Sequence, residues 1–275
     1  MSDIRPSASA DRNQRRKEMN EMQSEKESVL IFRTFEKMFE NTLGISLEIP
    51  NTLIASGLYD PDQGSYADAG LLLSDQNPFP GIDLSVYGKA QTILKKRLTF
   101  ENESVLDQIQ KVLSVFKKHF TCETINSFYR TVKEQIPLNG FRDVLVNTVA
   151  HREWQTDVPV RIEFFENSVP IISPSRLPDG MNKEDCLSCH NLAILRNPSL
   201  VFVFRQFSLI NPFGAVTANI QAAYSSYSRK LVLEIQPDQI SVPLPALEMV
   251  FCRIRERKKS SDLSEVMDRS AQRIF

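Results

Sequence analysis

Apolar positions along the chain repeat with two different periods, and each change of period marks a new element. From Val29 to Phe39 the residues Leu30, Phe32, Phe35, Met38 and Phe39 predict one short amphipathic helix. Ser104 opens a longer one. It stands three residues before Asp107, a capping-box arrangement, and Val105, Ile109, Val112, Leu113, Phe116 and Phe120 then share a face. Phe141 to Glu153 predicts a third helix. Asn197 as N-cap, with Pro198 at N1, predicts a fourth running to about Phe207.

Strands are expected between the helices. The apolar run Ala69-Gly-Leu-Leu-Leu73 predicts a buried strand, and Ile82 to Tyr87 alternates as a second. Val158 to Phe165 and Val169 to Ile172 predict a pair turning at Asn167-Ser168. Pro170 inside the latter requires an edge position or a local break. Leu231–Gln236 and Ile240–Leu244 predict a closing hairpin across Pro237-Asp-Gln239. Helices on one face of a largely antiparallel sheet make an α+β fold.

The two ends are different in kind. Residues 1–28 are polar, balanced in charge and free of aromatics, which predicts a disordered tail. Ala246 to Lys259 has a helical pattern ending in RIRERKK. Ser261 to Phe275 then has the rhythm of a helix, a turn and the start of another helix, the opening half of a helix-turn-helix.

Composition narrows the function classes. With 41% apolar and 24% charged residues the chain is ordinary for a globular protein. The formal net charge of -1 supplies no global field for nucleic acid or an anionic membrane, so either partner would need a local patch. No apolar run approaches the roughly eighteen residues of a membrane span, and the N-terminus has no apolar signal region. The expectation is therefore a cytoplasmic protein with no membrane partner and four reduced cysteines.

Asp185-Cys-Leu-Ser-Cys-His190 raises two metal readings: C-x-x-C-H is the attachment pattern of c-type haem, and C-x-x-C opens many zinc sites. Haem c is attached outside the cytosol, so no haem is expected. Zinc would need two more ligands, which Cys122, His151 and Cys252 supply only if the fold gathers them. His119 lies near the C-terminal end of its helix, where a cation suits the dipole, and carries no functional weight.

The informative stretch is Arg142-Asp-Val-Leu-Val-Asn-Thr-Val-Ala-His-Arg152. Asp143, Asn147 and His151 are four apart, so a carboxylate, an amide and an imidazole line one helix face. Such a row either lines a cleft or forms a buried network that satisfies itself.

This run resembles the N-box helix of the GHKL (Bergerat-type) ATP-binding fold, as found in bacterial RecG-related ATP-dependent helicase or transcriptional regulator proteins. The resemblance covers residues 52 to 245. Its further landmarks are Asp68–Pro78, similar to the end of a Schlafen/AlbA-type domain, then His151-Arg-Glu-Trp154, Ser173-Pro174, Leu177-Pro178, Arg196-Asn-Pro198 and the strand Ile240–Leu244. It implies a partial Schlafen/AlbA-type domain over 29–121, a GHKL-like domain over 122–245, and a tail at 246–275 that starts a winged helix. The implied fold is a two-layer α/β sandwich, and the implied ligands are ATP and Mg.

The resemblance also assigns roles. Asp143 stands where the family has its general-base Glu, one methylene shorter, and Asn147 matches the magnesium ligand. Ser175 and Arg176 replace two glycines of a Pro-Gly-Gly turn, so side chains stand where backbone would approach the ligand. Arg176 either offers its charge to phosphate or makes a surface ion pair. Gly214-Ala215-Val216 keeps one glycine of a Gly-Thr-Gly phosphate turn. Together with His151, these residues form the candidate nucleotide site.

Three departures at three nucleotide-facing places predict weakened chemistry, with a weak ATPase as the only activity implied. There is no Walker G-x-x-x-x-G-K-[ST] sequence for a helicase. The expected function is a regulator that binds, or formerly bound, ATP and works with DNA or a DNA-binding partner. The other reading is a scaffold or fragment without nucleotide binding. Neither reading sets an oligomeric state. No basic stripe interleaved with aromatics is visible along the sequence.

Overall fold

The first helix begins later than its apolar pattern does. It runs Arg33–Leu43 (α1), points Phe35 into the core, and stops where Gly44 turns left-handed with φ 71° and its N–H bonds the Glu40 carbonyl. The computed structural model describes residues 30–89, 91–125, 130–176, 196–210, 224 and 234–247, with side chains described outside 122–132. The tail at 1–28, the Cys186–His190 loop, the Gly214 turn and residues 248–275 lie outside the described residues.

After α1 come a five-residue helix, Asn51–Ala55 (α2), and a small hairpin of Tyr59–Asp60 (β1) with Ser65–Tyr66 (β2). The run expected as a strand is instead a helix, Asp68–Leu73 (α3), in which Ala69 to Leu73 are all buried. An apolar run of five has no period of its own, so burial on every side accommodates either form. Leucine and alanine prefer helix, and no β-branched residue in the run resists it. Gly70 is required there because a Cβ would strike the Leu58 carbonyl.

A six-stranded sheet carries the rest: Leu94–Phe100 (β4), Ile82–Tyr87 (β3), Val160–Phe164 (β7), Ser168–Ser173 (β8), Ile240–Pro245 (β10) and Glu234–Ile235 (β9), in that spatial order. β3 and β7 are parallel, with Ile82 opposite Val160 and Val86 opposite Phe164, and the other neighbours are antiparallel. A separate hairpin pairs Thr121–Ile125 (β5) with Arg130–Glu134 (β6). The fold is thus α+β with a mixed sheet. The division set out between residues 121 and 122 falls inside β5, one residue past the end of Val105–Phe120 (α4), and strands from both sides of it enter the one sheet.

Alternation decides which face is covered. Ile82 and Leu84, Val160, Ile162 and Phe164, Val169 and Ile171, and Leu244 are buried on one face. Phe116 and Phe120 of α4 and Phe141 of Leu138–His151 (α5) meet Phe164 there, and the Phe116 and Phe141 rings stack with centroids 3.8 Å apart. At the start of α4, Ser104 Oγ accepts from the Leu106 N–H at 3.4 Å, as a cap should. Asp107 does not complete a box. Its carboxylate accepts from Thr34 Oγ1 at 2.6 Å and ties α4 to α1.

Pro170 lies in an interior strand, not at an edge, and sits opposite Pro243. Two facing prolines make a non-hydrogen-bonded pair, so each missing donor points to its outer side. On Pro170's outer side the β7–β8 pairing extends only to Ile171, and on Pro243's the described residues of β9 pair as far as Ser241. The bond lost at Pro170 therefore falls where its ladder has already stopped.

The other sheet face holds a titrating pair. Asp83 on β3 accepts from Arg97 Nε at 3.0 and 3.1 Å and from Thr99 Oγ1 at 2.9 Å, both donors on β4. The Arg97 hydrogen bond holds the Asp83 carboxyl below its ordinary value of 3.8, although burial pushes the other way. A carboxyl lowered in the folded state adds stability above its unfolded pKa, and that stability is lost as pH falls through the folded value. Below about pH 4 the native protein is therefore expected to lose stability more steeply than Asp83→Asn. Urea midpoints measured across acid pH check this, and parallel acid limbs would refute it.

Candidate functional site

The predicted polar row lies on α5, whose buried side is Phe141, Val144, Leu145, Val146, Val149 and Ala150. Glu134 Oε2 accepts the Leu138 N–H at 2.8 Å and places a negative charge at the helix N-terminus. Asp143, Asn147 and His151 occupy the half-buried flank, as their spacing of four requires. At 1.5 Å per residue, the row stretches over about 12 Å from Asp143 to His151.

The structure engages each member separately. Asp143 Oδ1 accepts from Arg142 Nε at 3.1 Å and from a terminal guanidinium nitrogen at 2.9 Å. Asn147 Nδ2 donates to the Asp143 backbone carbonyl at 2.7 Å, so the amide folds back on its own helix. Burial first, then the charges of Arg205 and Arg196, pushes the His151 imidazole below its ordinary value, so it is neutral at pH 7.

The end of α5 is where separate sequence landmarks meet. Asn197, expected to cap its own helix, instead donates from Nδ2 to the Ala150 and Arg152 carbonyls at 2.8 and 2.9 Å, closing the end of α5. Arg196 reaches Glu153 Oε2 at 3.2 Å and the Arg176 carbonyl at 2.7 Å. Ser175 Oγ accepts the Glu153 N–H at 3.1 Å and lies 2.9 Å from Ser173 Oγ. His151–Trp154, Ser173–Arg176 and Arg196–Pro198 thus form one cluster. Ser175 is buried within it, and the Arg176 side chain is exposed.

Arg152 lies beneath this cluster with no exposed surface, stacked 4.3 Å over the Trp154 ring. It donates to the Pro80, Thr156 and Val158 carbonyls. The Trp154 indole N–H bonds the Val149 carbonyl at 3.2 Å.

The helix that follows, Pro198–Gln206 (α6), starts without a side-chain cap because Asn197 is engaged on α5. Beside it opens a shallow pocket of about 440 Å³ between the end of α2 and α6, lined by Ser56, Gly57, Ser199, Phe202 and Arg205. Arg205 links two features: its side chain lines the pocket and its charge acts on His151. The sequence reading missed Arg205. A single arginine on an apolar helix carries no local signal, and its meaning comes only from what packs beside it.

The remaining predicted residues divide simply. Gly214, Cys186, Cys252 and His190 lie outside the described residues, as does the Cys122 side chain. Among the described residues, no three His, Cys, Asp or Glu side chains gather as a metal site. Likewise, no described helix is long and apolar enough to cross a membrane.

No family model and no curated protein matches the chain. Among solved structures, the fold is similar to the crystal structure of the DIP2311 protein from Corynebacterium diphtheriae, with a TM-score of 0.63 and 22% identity. The match covers 74% of this chain and 42% of that one, so the chain spans less than half of that protein's length. At this identity the likeness concerns the fold alone.

Proposed function

We propose that this chain is a regulatory module, with a GHKL-like domain, that binds a nucleotide or a related phosphorylated ligand without hydrolysing it. The observation that carries this reading is the uncapped N-terminus of α6 beside the Ser199–Arg205 pocket. Backbone N–H groups at a helix start attract anions, and an arginine adds a charged, directional donor. Absence of hydrolysis follows from Asp143, whose carboxylate is held by Arg142 and is shorter than the Glu it replaces. A role in DNA-linked or transcriptional regulation rests on the family resemblance.

A second reading is favoured by Asn147. Its amide turned back on α5 suits a scaffold that has given up nucleotide binding altogether. Calorimetric titration of ATP with magnesium separates the two. Binding is expected, with Arg205→Ala weakening it by about tenfold, roughly 1.4 kcal/mol. Loss of binding in Asn147→Ala, together with a magnesium requirement, would instead place the ligand at the N-box-like row. No heat with either protein would favour the scaffold.

A further inference from the structure

Lysines from two distant segments gather at one end of the sheet. Lys95 and Lys96 open the edge strand β4, and Lys117 and Lys118 end α4, all exposed. The two groups are neighbours. Lys96 pairs with Val86 of β3 and Val86 with Phe164 at the end of β7, and the His119 ring at the end of α4 lies 5.4 Å from the Phe164 ring, where the Lys95 charge also acts on it. None of these four lysines pairs with a described carboxylate, although Glu166 is exposed in the adjacent β7–β8 turn. Two large aliphatic residues stand beside them: Ile93 is 62% exposed and Leu94 49%.

We propose that this end of the molecule docks on an anionic membrane surface, with Ile93 and Leu94 entering among the headgroups and the four lysines facing acidic phospholipid. The lysines alone have ordinary explanations. Lysine on an edge strand blocks pairing with other chains, and lysine in a last helical turn suits the dipole. Neither accounts for two adjacent aliphatic side chains left in water at the same spot. A nucleic-acid backbone would use the charge but has no apolar surface for that pair. A membrane interface uses both, and stable attachment commonly needs two such signals. A net charge of -1 does not oppose this, because the lysine field is local and acts within a Debye length.

The test is co-sedimentation of the full chain with vesicles of phosphatidylcholine alone or mixed with phosphatidylserine. Binding is expected only to the acidic vesicles and should fall with added salt. The double change Lys95→Glu with Lys96→Glu should weaken it more than about tenfold. Ile93→Ser with Leu94→Ser should weaken it while leaving the salt dependence. All four positions are exposed, so melting temperatures and ATP titrations should match the parent, which keeps this result separate from the nucleotide reading. No binding to acidic vesicles, or binding indifferent to the Lys→Glu changes, would overturn the proposal. So would salt-dependent capture of duplex or single-stranded DNA without any vesicle binding.

Discussion

Arg152→Ala is expected to cost about 3–5 kcal/mol, a large part of the 5–15 kcal/mol that holds a typical domain together. The guanidinium has no exposed surface and supplies donors to carbonyls from three places: Pro80 ahead of β3, and Thr156 and Val158 ahead of β7. The two strands it serves are the parallel pair, joined where the Val160 N–H bonds the Gly81 carbonyl. Alanine would leave those carbonyls buried without that donor and would also remove the face that covers Trp154. Arg152→Lys should recover less than half of the loss, since one ammonium cannot span the geometry of a planar fork. Urea unfolding of the three proteins measures this. A loss below about 1 kcal/mol for alanine would mean that water replaces the guanidinium.

Phe164→Ala is expected to cost a similar 3–5 kcal/mol, by a different route. Phe164 is fully buried, and its ring meets Phe116 and Phe120 of α4 and Phe141 of α5 at 5.0 to 6.3 Å. It is the place where both long helices bear on the parallel strand pair, so truncation opens a cavity that no single element can close. Phe164→Leu keeps most of the volume and should lose under about 1.5 kcal/mol. Equal losses for the two variants would argue against the cavity account and for a specific need of aromatic edges.

These two sites differ in how far the sequence revealed them. Phe164 lies in the run Val158–Phe165 that predicts its strand, and Phe116 and Phe120 share the apolar face predicted for α4. Arg152 gave no such sign. Beside His151 it reads as a surface cation at a helix end, and only the packing of α5 against the approaches to β3 and β7 buries it.

The same contrast runs through the candidate site. Spacing placed Asp143, Asn147 and His151 on one flank of α5, and they are there. Spacing could not say that Asp143 turns to Arg142, that Asn147 bonds its own helix, or that the charges of Arg205 and Arg196 act on His151. Asn197 was legible as a cap, yet it caps α5 and not α6, because a side-chain amide bonds whichever carbonyls the fold brings near. The start of α6 is left open as a consequence.

Local periodicity, then, determined the helices α1, α4, α5 and α6 and the strands β3, β7, β8 and β10, because burial on one face imposes a repeat of 3.6 or 2 that the chain must carry itself. Where burial is complete, as in Ala69–Leu73, or nearly absent, as in the lysine-rich β4, no repeat is imposed and the element was misread or missed. Strand order, the parallel β3–β7 pair, the burial of Arg152 and the neighbourhood of Lys95 with the end of α4 were decided only by tertiary structure. They depend on contacts between residues far apart in sequence, and a local pattern holds no record of such contacts.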